Sequence, residues 1–122
     1  MNLSEIAATT PERRIRPHDV TALRKKLKLT QERLARLLEV SSRTVARWES
    51  DESEPEPFVA RKLRGIERVA QKLERSSDPE KIVKWLELPE SELGHYAPVD
   101  LLGSAWATNE LLNRLDQWLQ GE

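Results

Sequence analysis

Three side chains between residues 42 and 47 are spaced to meet the base edges of DNA. Ser42, Arg43 and Arg47 fall on one outward face of a predicted short helix. A guanidinium group can bond guanine O6 and N7 together, and each such pair gives about 1–3 kcal/mol of base discrimination. Serine is shorter and less selective. The alternative is a solvated, charged helix face that binds nothing.

The elements that would position these side chains are two short helices joined by a tight turn, within residues 30–49. Apolar residues at helical spacing predict that the two helices pack together through Leu34, Ala35, Leu38, Val45 and Trp48. Ser41 is placed to cap the second helix, its hydroxyl accepting from a backbone N–H group. We expect Trp48 to be a core residue rather than a platform for base stacking.

This segment resembles the helix-turn-helix of Cro/C1-type (Xre) repressors at Thr30-Gln31, Leu34-Ala35, Val40-Ser41, Thr44-Val45 and Trp48-Glu49. The resemblance implies that Gln31 bonds a phosphate or a nearby base edge. It also implies that Ser41, Ser42, Arg43 and Arg47 face base edges and that Thr44 lies near the DNA backbone. The family usually has glycine in the turn, where this chain has Glu39. A residue with a Cβ atom is strained by roughly 1 kcal/mol in a left-handed conformation.

Composition favours an all-α protein and excludes several kinds of site. The 122 residues include no cysteine, and the two histidines, His18 and His95, lie in separate segments. Neither a disulfide nor a cysteine-based metal site is therefore available, and we expect no metal or cofactor. No apolar run is long enough to span a membrane and no signal-peptide core is visible, so we expect a cytoplasmic protein.

The formal net charge of −1 conceals a division along the chain. Residues 13–47 hold eleven Lys or Arg against three acids, whereas residues 78–122 hold three bases against nine acids. A basic window that coincides with a helix-turn-helix is the expected electrostatic footprint of a DNA-binding domain. DNA would repel the acidic segment, so we expect that segment to have a role other than DNA binding. Solvated helix faces are the alternative for both segments.

The chain divides into three predicted regions: an N-terminal arm (1–16), a helix-turn-helix region (17–56) and a helical domain (57–122). The arm is either a basic segment that lies along DNA or a disordered terminus. Proline punctuation predicts helices that begin at Pro17, Pro57 and Pro79, the last of them ending at Pro89. In the helix from Pro57 to Arg75, Phe58 is expected to widen the apolar face. A final helix is expected over residues 104–120.

The C-terminal region carries a second resemblance, in an ordered string of apolar residues with glycine and proline between them. The string comprises Asp78-Pro79-Glu80-Lys81, Trp85-Leu86, Pro89, Leu93-Gly94, Pro98, Leu101-Leu102, Leu111-Leu112, Leu115 and Gly121. It is similar to the toxin-binding domain of Xre/MbcA/ParS-type antitoxins, which are partners of RES-domain toxins. In that family the C-terminal region blocks the NAD pocket of the toxin. His95 and Tyr96 depart from the small or basic residues that the family usually has there.

By position, the resemblance implies toxin contacts along the last helix, at Trp106, Leu111, Leu115, Asp116, Trp118, Leu119 and Glu122. Tryptophan is enriched at interaction hot spots, and Trp85 is a further candidate. Burial of the tryptophans in the core of the chain is the alternative. Acidic residues of this region, Asp116 and Glu122 among them, could complement a cationic pocket that binds nucleotide phosphates.

These observations favour an antitoxin with two activities. It would neutralise a RES-domain, NAD-consuming toxin, and it would bind operator double-stranded DNA to repress its own operon. A homodimer and a toxin–antitoxin hetero-oligomer are the expected assemblies. The alternative is a stand-alone Xre-family repressor whose C-terminal region only dimerises. An enzyme is the least favoured class, because the sequence shows no nucleophile–base pair, phosphate loop or metal cluster.

Overall fold

Six α-helices and two 3₁₀ turns form the part of the chain that the computed structural model describes, residues 14–122. The helices are α1 (Pro17–Lys26), α2 (Gln31–Leu38), α3 (Ser42–Glu49), α4 (Pro57–Arg75), α5 (Pro79–Leu86) and α6 (Ala105–Gln120). The 3₁₀ turns span Ser91–Leu93 and Pro98–Leu101. The all-α prediction is confirmed. The arm lies outside the described residues except for residues 14–16.

Polar side chains at the helix starts explain where several helices begin. The Thr30 hydroxyl accepts a hydrogen bond from the backbone N–H of Arg33 at 3.1 Å, which caps α2. The Ser41 hydroxyl accepts from the backbone N–H of Thr44 at 3.1 Å and caps α3. Ser104 caps α6 in the same way. Each cap satisfies a backbone donor that has no partner within its own helix.

The α5 helix ends at Leu86, so the prediction that it continues to Pro89 is wrong. The backbone N–H groups of Glu87 and Leu88 bond three residues back, each at 3.1 Å, instead of four. The residue before a proline is also disfavoured in α conformation, which explains why the helix stops early.

The hydrophobic core runs without a break across the predicted boundary between residues 56 and 57. One cluster of buried side chains includes Leu23 and Leu38 from the first helices, Ile66 from α4 and Leu111 from α6. The α4 helix packs against α1, α5 and α6 and so forms the centre of the fold. The helix-turn-helix and the C-terminal helices therefore share one core.

The C-terminal region is also fastened to α2 through two surface links. The Arg33 guanidinium donates to the Glu87 carboxylate at 2.9 and 3.0 Å and to Asp100 at 3.4 Å. Gly103 lies so close to α2 that a Cβ atom there would be 2.1 Å from the Leu37 carbonyl oxygen. The C-terminal region thus lies against α2 at Arg33 and Leu37. No helix within residues 14–122 has the length and apolar character needed to cross a bilayer.

Candidate nucleic-acid and partner-binding surfaces

The turn between α2 and α3 places Glu39 in the left-handed conformation, with φ 59° and ψ 40°. Its backbone N–H donates to the Arg36 carbonyl at 3.2 Å, and the N–H of Val40 donates to the Ala35 carbonyl at 3.0 Å. This closes α2 in the way that a C-terminal glycine usually does. The predicted left-handed turn is confirmed at a residue that carries a Cβ atom.

The buried side of α3 fixes the direction of its outer side. Val45 is fully buried and Trp48 is nearly so, and both belong to the core cluster. The prediction that Trp48 is a core residue is confirmed. Ser42, Arg43 and Arg47 lie on the opposite side of α3 and are exposed. The helix therefore presents a polar, cationic face of the kind that the major groove accepts.

The remaining predicted DNA contacts have neighbours within the motif. Ser41 is exposed, but its hydroxyl caps α3 and also bonds the Thr44 hydroxyl at 2.9 Å. The Gln31 side chain is half-buried and hydrogen-bonds Glu49. These residues therefore help to hold the motif together as well as lying at its edge.

An ion pair between α1 and α3, which the sequence reading missed, sets the orientation of α3. Arg24 donates to both oxygens of Glu49, at 2.8 and 2.9 Å, and Thr21 donates to the same carboxylate at 2.9 Å. Burial opposes ionisation of Glu49, but hydrogen bonds from Arg24, Thr21 and Gln31 outweigh it and lower its pKa. The only available signal was the presence of opposite charges on the first and third predicted helices.

The cations of the basic window divide into two groups. Arg24, Arg33 and other members pair with carboxylates, the pairs being Arg14–Glu54, Arg24–Glu49, Lys26–Glu74 and Arg33 with Glu87 and Asp100. Arg43 and Arg47 form no ion pair with any residue from 14 to 122. The recognition face therefore keeps its positive charge, while carboxylates pair with four cations elsewhere in the window.

On α6, the predicted partner contacts separate into exposed and buried residues. Trp106 in the first turn is 72% exposed. Leu111 and Leu115 are fully buried in the core cluster, so the structure does not offer these two predicted contacts on its surface. The 3.6-residue repeat identified an apolar face, but α6 turns that face towards α4.

Trp118 and Leu119 near the end of α6 are half-buried. The Trp118 ring meets the Trp85 ring edge-on, with centroids 5.9 Å apart and an interplanar angle of 71°. The Trp85 indole N–H donates to the Glu90 carboxylate at 3.2 Å. The two tryptophans therefore pack within the fold, and both residues remain partly exposed.

The two predicted acidic contacts are engaged within the chain. Asp116 forms an ion pair with Lys72 of α4. The Glu122 carboxylate accepts from the Ser76 hydroxyl at 2.6 Å and from the Ser77 backbone N–H at 3.1 Å, and both bonds lower its pKa. These carboxylates fasten the end of α6 to α4 and the connection that follows it. Within residues 14–122, no three His, Asp or Glu side chains converge as a metal site requires.

Comparison with known proteins finds similarity over both halves of the chain. A family profile described as helix-turn-helix matches residues 20–64. The structure is also similar to the MbcA antitoxin in the crystal structure of the M. tuberculosis MbcT–MbcA toxin–antitoxin complex. That match has a TM-score of 0.70 and 25% sequence identity, and it covers 86% of this chain and 94% of the other. No curated protein matches the sequence.

Proposed function

We propose that this chain, a Cro/C1-type helix-turn-helix protein of the Xre/MbcA antitoxin type, both neutralises a toxin and binds the operator of its own operon. The proposal rests chiefly on one observation: a single fold exposes a cationic surface on α3 and an aromatic surface on α6. Arg43 and Arg47 project from α3, while α6 exposes Trp106 in a region that matches an antitoxin. The protein would act in the cytoplasm and without a cofactor.

DNA binding would use α3 as the recognition helix. Arg43 and Arg47 would contact base edges, with Ser42 beside them and Gln31, Ser41 and Thr44 at the edge of the contact. A homodimer would place two α3 helices one DNA turn apart, about 34–36 Å, on a palindromic operator. The unneutralised charge of Arg43 and Arg47 supports this proposal.

Toxin binding would use the exposed part of the C-terminal helices. Trp106 is the best anchor because most of its ring is in water in the single chain, and Trp118 and Leu119 would contribute their accessible portions. Asp116 and Glu122 would act chiefly by holding the end of α6 in place. We propose that the toxin is a RES-domain, NAD-consuming protein and that the bound antitoxin closes its NAD pocket. The sequence pattern of the C-terminal region supports this identity.

Operator binding is tested by titrating the purified chain onto the DNA upstream of its own gene and onto scrambled DNA of equal length. A site-specific complex is expected, with a steep loss of affinity as salt rises because phosphate contacts release counterions. Equal affinity for both DNAs would contradict operator recognition.

Toxin binding is tested by co-purifying the chain with the product of the adjacent gene and measuring the NAD-consuming activity of that product. The proposal expects a stable complex in which the activity is suppressed. A chain that binds its operator but no neighbouring gene product would instead be a stand-alone repressor whose C-terminal helices dimerise.

A further inference from the structure

A groove of about 510 Å³ lies between the first half of α4 and the start of α6, on a part of the surface that the proposed DNA and toxin contacts do not explain. Its lining comprises Phe58, Arg61, Lys62, Gly65, Arg68, Leu102, Gly103, Ala105, Thr108 and Asn109. Apolar atoms are prominent in the lining, and every charged side chain in it is a cation. This combination is typical of a surface that binds another molecule.

Gly65, a glycine inside α4, lines the groove and lets α6 approach α4 closely. A Cβ atom on Gly65 would lie 3.3 Å from the Thr108 methyl carbon, so even alanine would press α6 away from α4. Thr108 cannot move away freely, because its hydroxyl donates to the Leu102 and Ser104 carbonyls at 3.0 and 2.7 Å. Glycine lowers the stability of a helix interior by roughly 0.5–1 kcal/mol relative to alanine. The chain therefore keeps α4 and α6 in close approach beside the groove at a cost in helix stability.

One exposed aromatic ring lines the groove, and a second lies on the same turn of α6 as its lining residues. Phe58 was expected on the buried face of α4, but its side chain is 67% exposed, with the Lys62 ammonium 5.0 Å from the ring centroid. Trp106 lies on α6 between the lining residues Ala105 and Asn109 and is 72% exposed. Exposed aromatic residues at the edge of an apolar depression are a common sign of a protein-binding site.

The charged groups around the groove have one sign. Arg61 and Arg68 form no ion pair with the residues that the structure describes, and Lys62 has only a 3.9 Å contact with Glu39. No carboxylate lines the groove. In a chain whose formal net charge is −1, three cations around one apolar depression form a local positive patch. A partner with negative charge would be attracted to it.

We infer that this groove binds an acidic segment of the toxin that inserts an apolar side chain between α4 and α6. The inference rests on the proposed antitoxin function and assigns to it a second surface, on the same turn of α6 as Trp106. A second copy of this chain is a poorer occupant. A two-fold contact centred on the groove would bring Arg61 and Arg68 of the two copies close together, and their like charges would repel. DNA is also a poorer fit, because a phosphate backbone would use the arginines and leave both aromatic rings in water.

The test is a double charge reversal, Arg61→Glu with Arg68→Glu, in the full chain, with the product of the adjacent gene as the binding probe. Both arginines are exposed, so the variant should fold, and its melting temperature checks this. Isothermal titration calorimetry should show at least tenfold weaker toxin binding. Arg75→Glu with Lys84→Glu, at two exposed sites outside the groove, is the matched control and should stay within twofold of the unaltered chain.

A second variant, Phe58→Ala, tests the apolar part of the contact without changing charge. We expect a loss of toxin affinity of about fivefold or more with the melting temperature unchanged. If the unaltered chain binds the toxin and both groove variants bind it equally well, the groove inference is wrong and the antitoxin function stands. If the unaltered chain does not bind the toxin, the proposed function fails and the inference fails with it.

Two further measurements identify a different occupant. Groove variants that keep toxin affinity but dissociate a homodimer, seen by analytical ultracentrifugation, would assign the groove to a second copy. Variants that keep toxin affinity but lose operator affinity would assign Arg61 and Arg68 to DNA phosphates. Either result would overturn the toxin assignment.

Discussion

Arg24 of α1 and Glu49 at the end of α3 form a two-point ion pair, with the guanidinium Nε and Nη2 atoms 2.9 and 2.8 Å from the two carboxylate oxygens. Both side chains are largely shielded from water, at 16% and 10% exposure. Because Glu49 belongs to the recognition helix, this pair fixes the angle at which Arg43 and Arg47 project. The pair therefore links the stability of the motif to its capacity to read DNA.

Replacing Glu49 by glutamine should destabilise the chain by about 1–3 kcal/mol, because Arg24 then lies in a partly buried site without its counter-charge. The folded-state pKa of Glu49 is lowered, so its contribution to stability is complete above the unfolded pKa and is lost as pH falls through the folded value. Urea melts of both proteins between pH 7 and pH 3 measure this. The unaltered chain should lose more stability in acid than Glu49→Gln does.

The control for this prediction is Glu52→Gln, at an exposed carboxylate just beyond α3. It should change the free energy of unfolding by less than about 0.5 kcal/mol at neutral pH, as surface substitutions usually do. A Glu49→Gln protein with the same stability and acid sensitivity as the unaltered chain would show that the ion pair contributes nothing.

Gly103→Ala should destabilise the junction between α2 and the C-terminal region. The new Cβ atom would lie 2.1 Å from the Leu37 carbonyl oxygen, so the backbone must shift, at a cost of about 1–3 kcal/mol. Gly121→Ala is the matched control, since a Cβ atom there makes only an ordinary 3.5 Å contact. Thermal melts that rank the two variants equally would contradict the close contact.

Glu39→Gly should stabilise the chain, because glycine adopts the left-handed turn without the strain of about 1 kcal/mol that a Cβ atom adds. Glu39→Ala keeps the Cβ atom and removes only the carboxylate, so it separates relief of strain from loss of the long Lys62 contact. Chemical denaturation should place Glu39→Gly above both other proteins in stability. A glycine variant no more stable than the alanine variant would argue against strain in this turn.

Arg43→Ala and Arg47→Ala should each weaken operator binding by about 1–3 kcal/mol and reduce discrimination at one or two base pairs. Titrations with the operator and with single-base variants of it measure both effects. Arg75→Ala removes an exposed cation from the end of α4 and should leave base preference unchanged. Loss of affinity without loss of discrimination would show that these arginines contact phosphates only.

Leu111→Ala or Leu115→Ala should lower the free energy of unfolding by about 2–5 kcal/mol, because each side chain is fully buried. Trp106→Ala should leave stability nearly unchanged and weaken toxin binding, because the ring is 72% exposed. Melting temperatures and toxin affinities measured together separate these roles. A large loss of stability in Trp106→Ala would place that ring in the core instead.

The sequence predicted most of the helix-turn-helix because local rules determine it. Thr30 and Ser41 cap the helices as expected, and the apolar spacing placed Val45 and Trp48 in the core. The Arg24–Glu49 pair was not predicted, since it joins residues 25 positions apart through tertiary packing. Periodicity shows which residues share a face, and it gives little information on which charges meet.

The C-terminal region was predicted less well because an apolar helix face can be covered by its own domain or by a partner. Leu111 and Leu115 are buried within the domain. Phe58, which was also expected on an apolar helix face, is exposed. Phe58 lines a groove together with Gly65, a feature that hydrophobic periodicity does not report.

The measurement that tests the central claim most directly is the growth of cells that express the product of the adjacent gene, with and without this chain. The account predicts growth arrest by that product alone, full rescue by co-expression of the chain, and poor rescue by Trp106→Ala produced at the same level. Arrest that persists with the unaltered chain present, or the absence of any arrest, would contradict the antitoxin function.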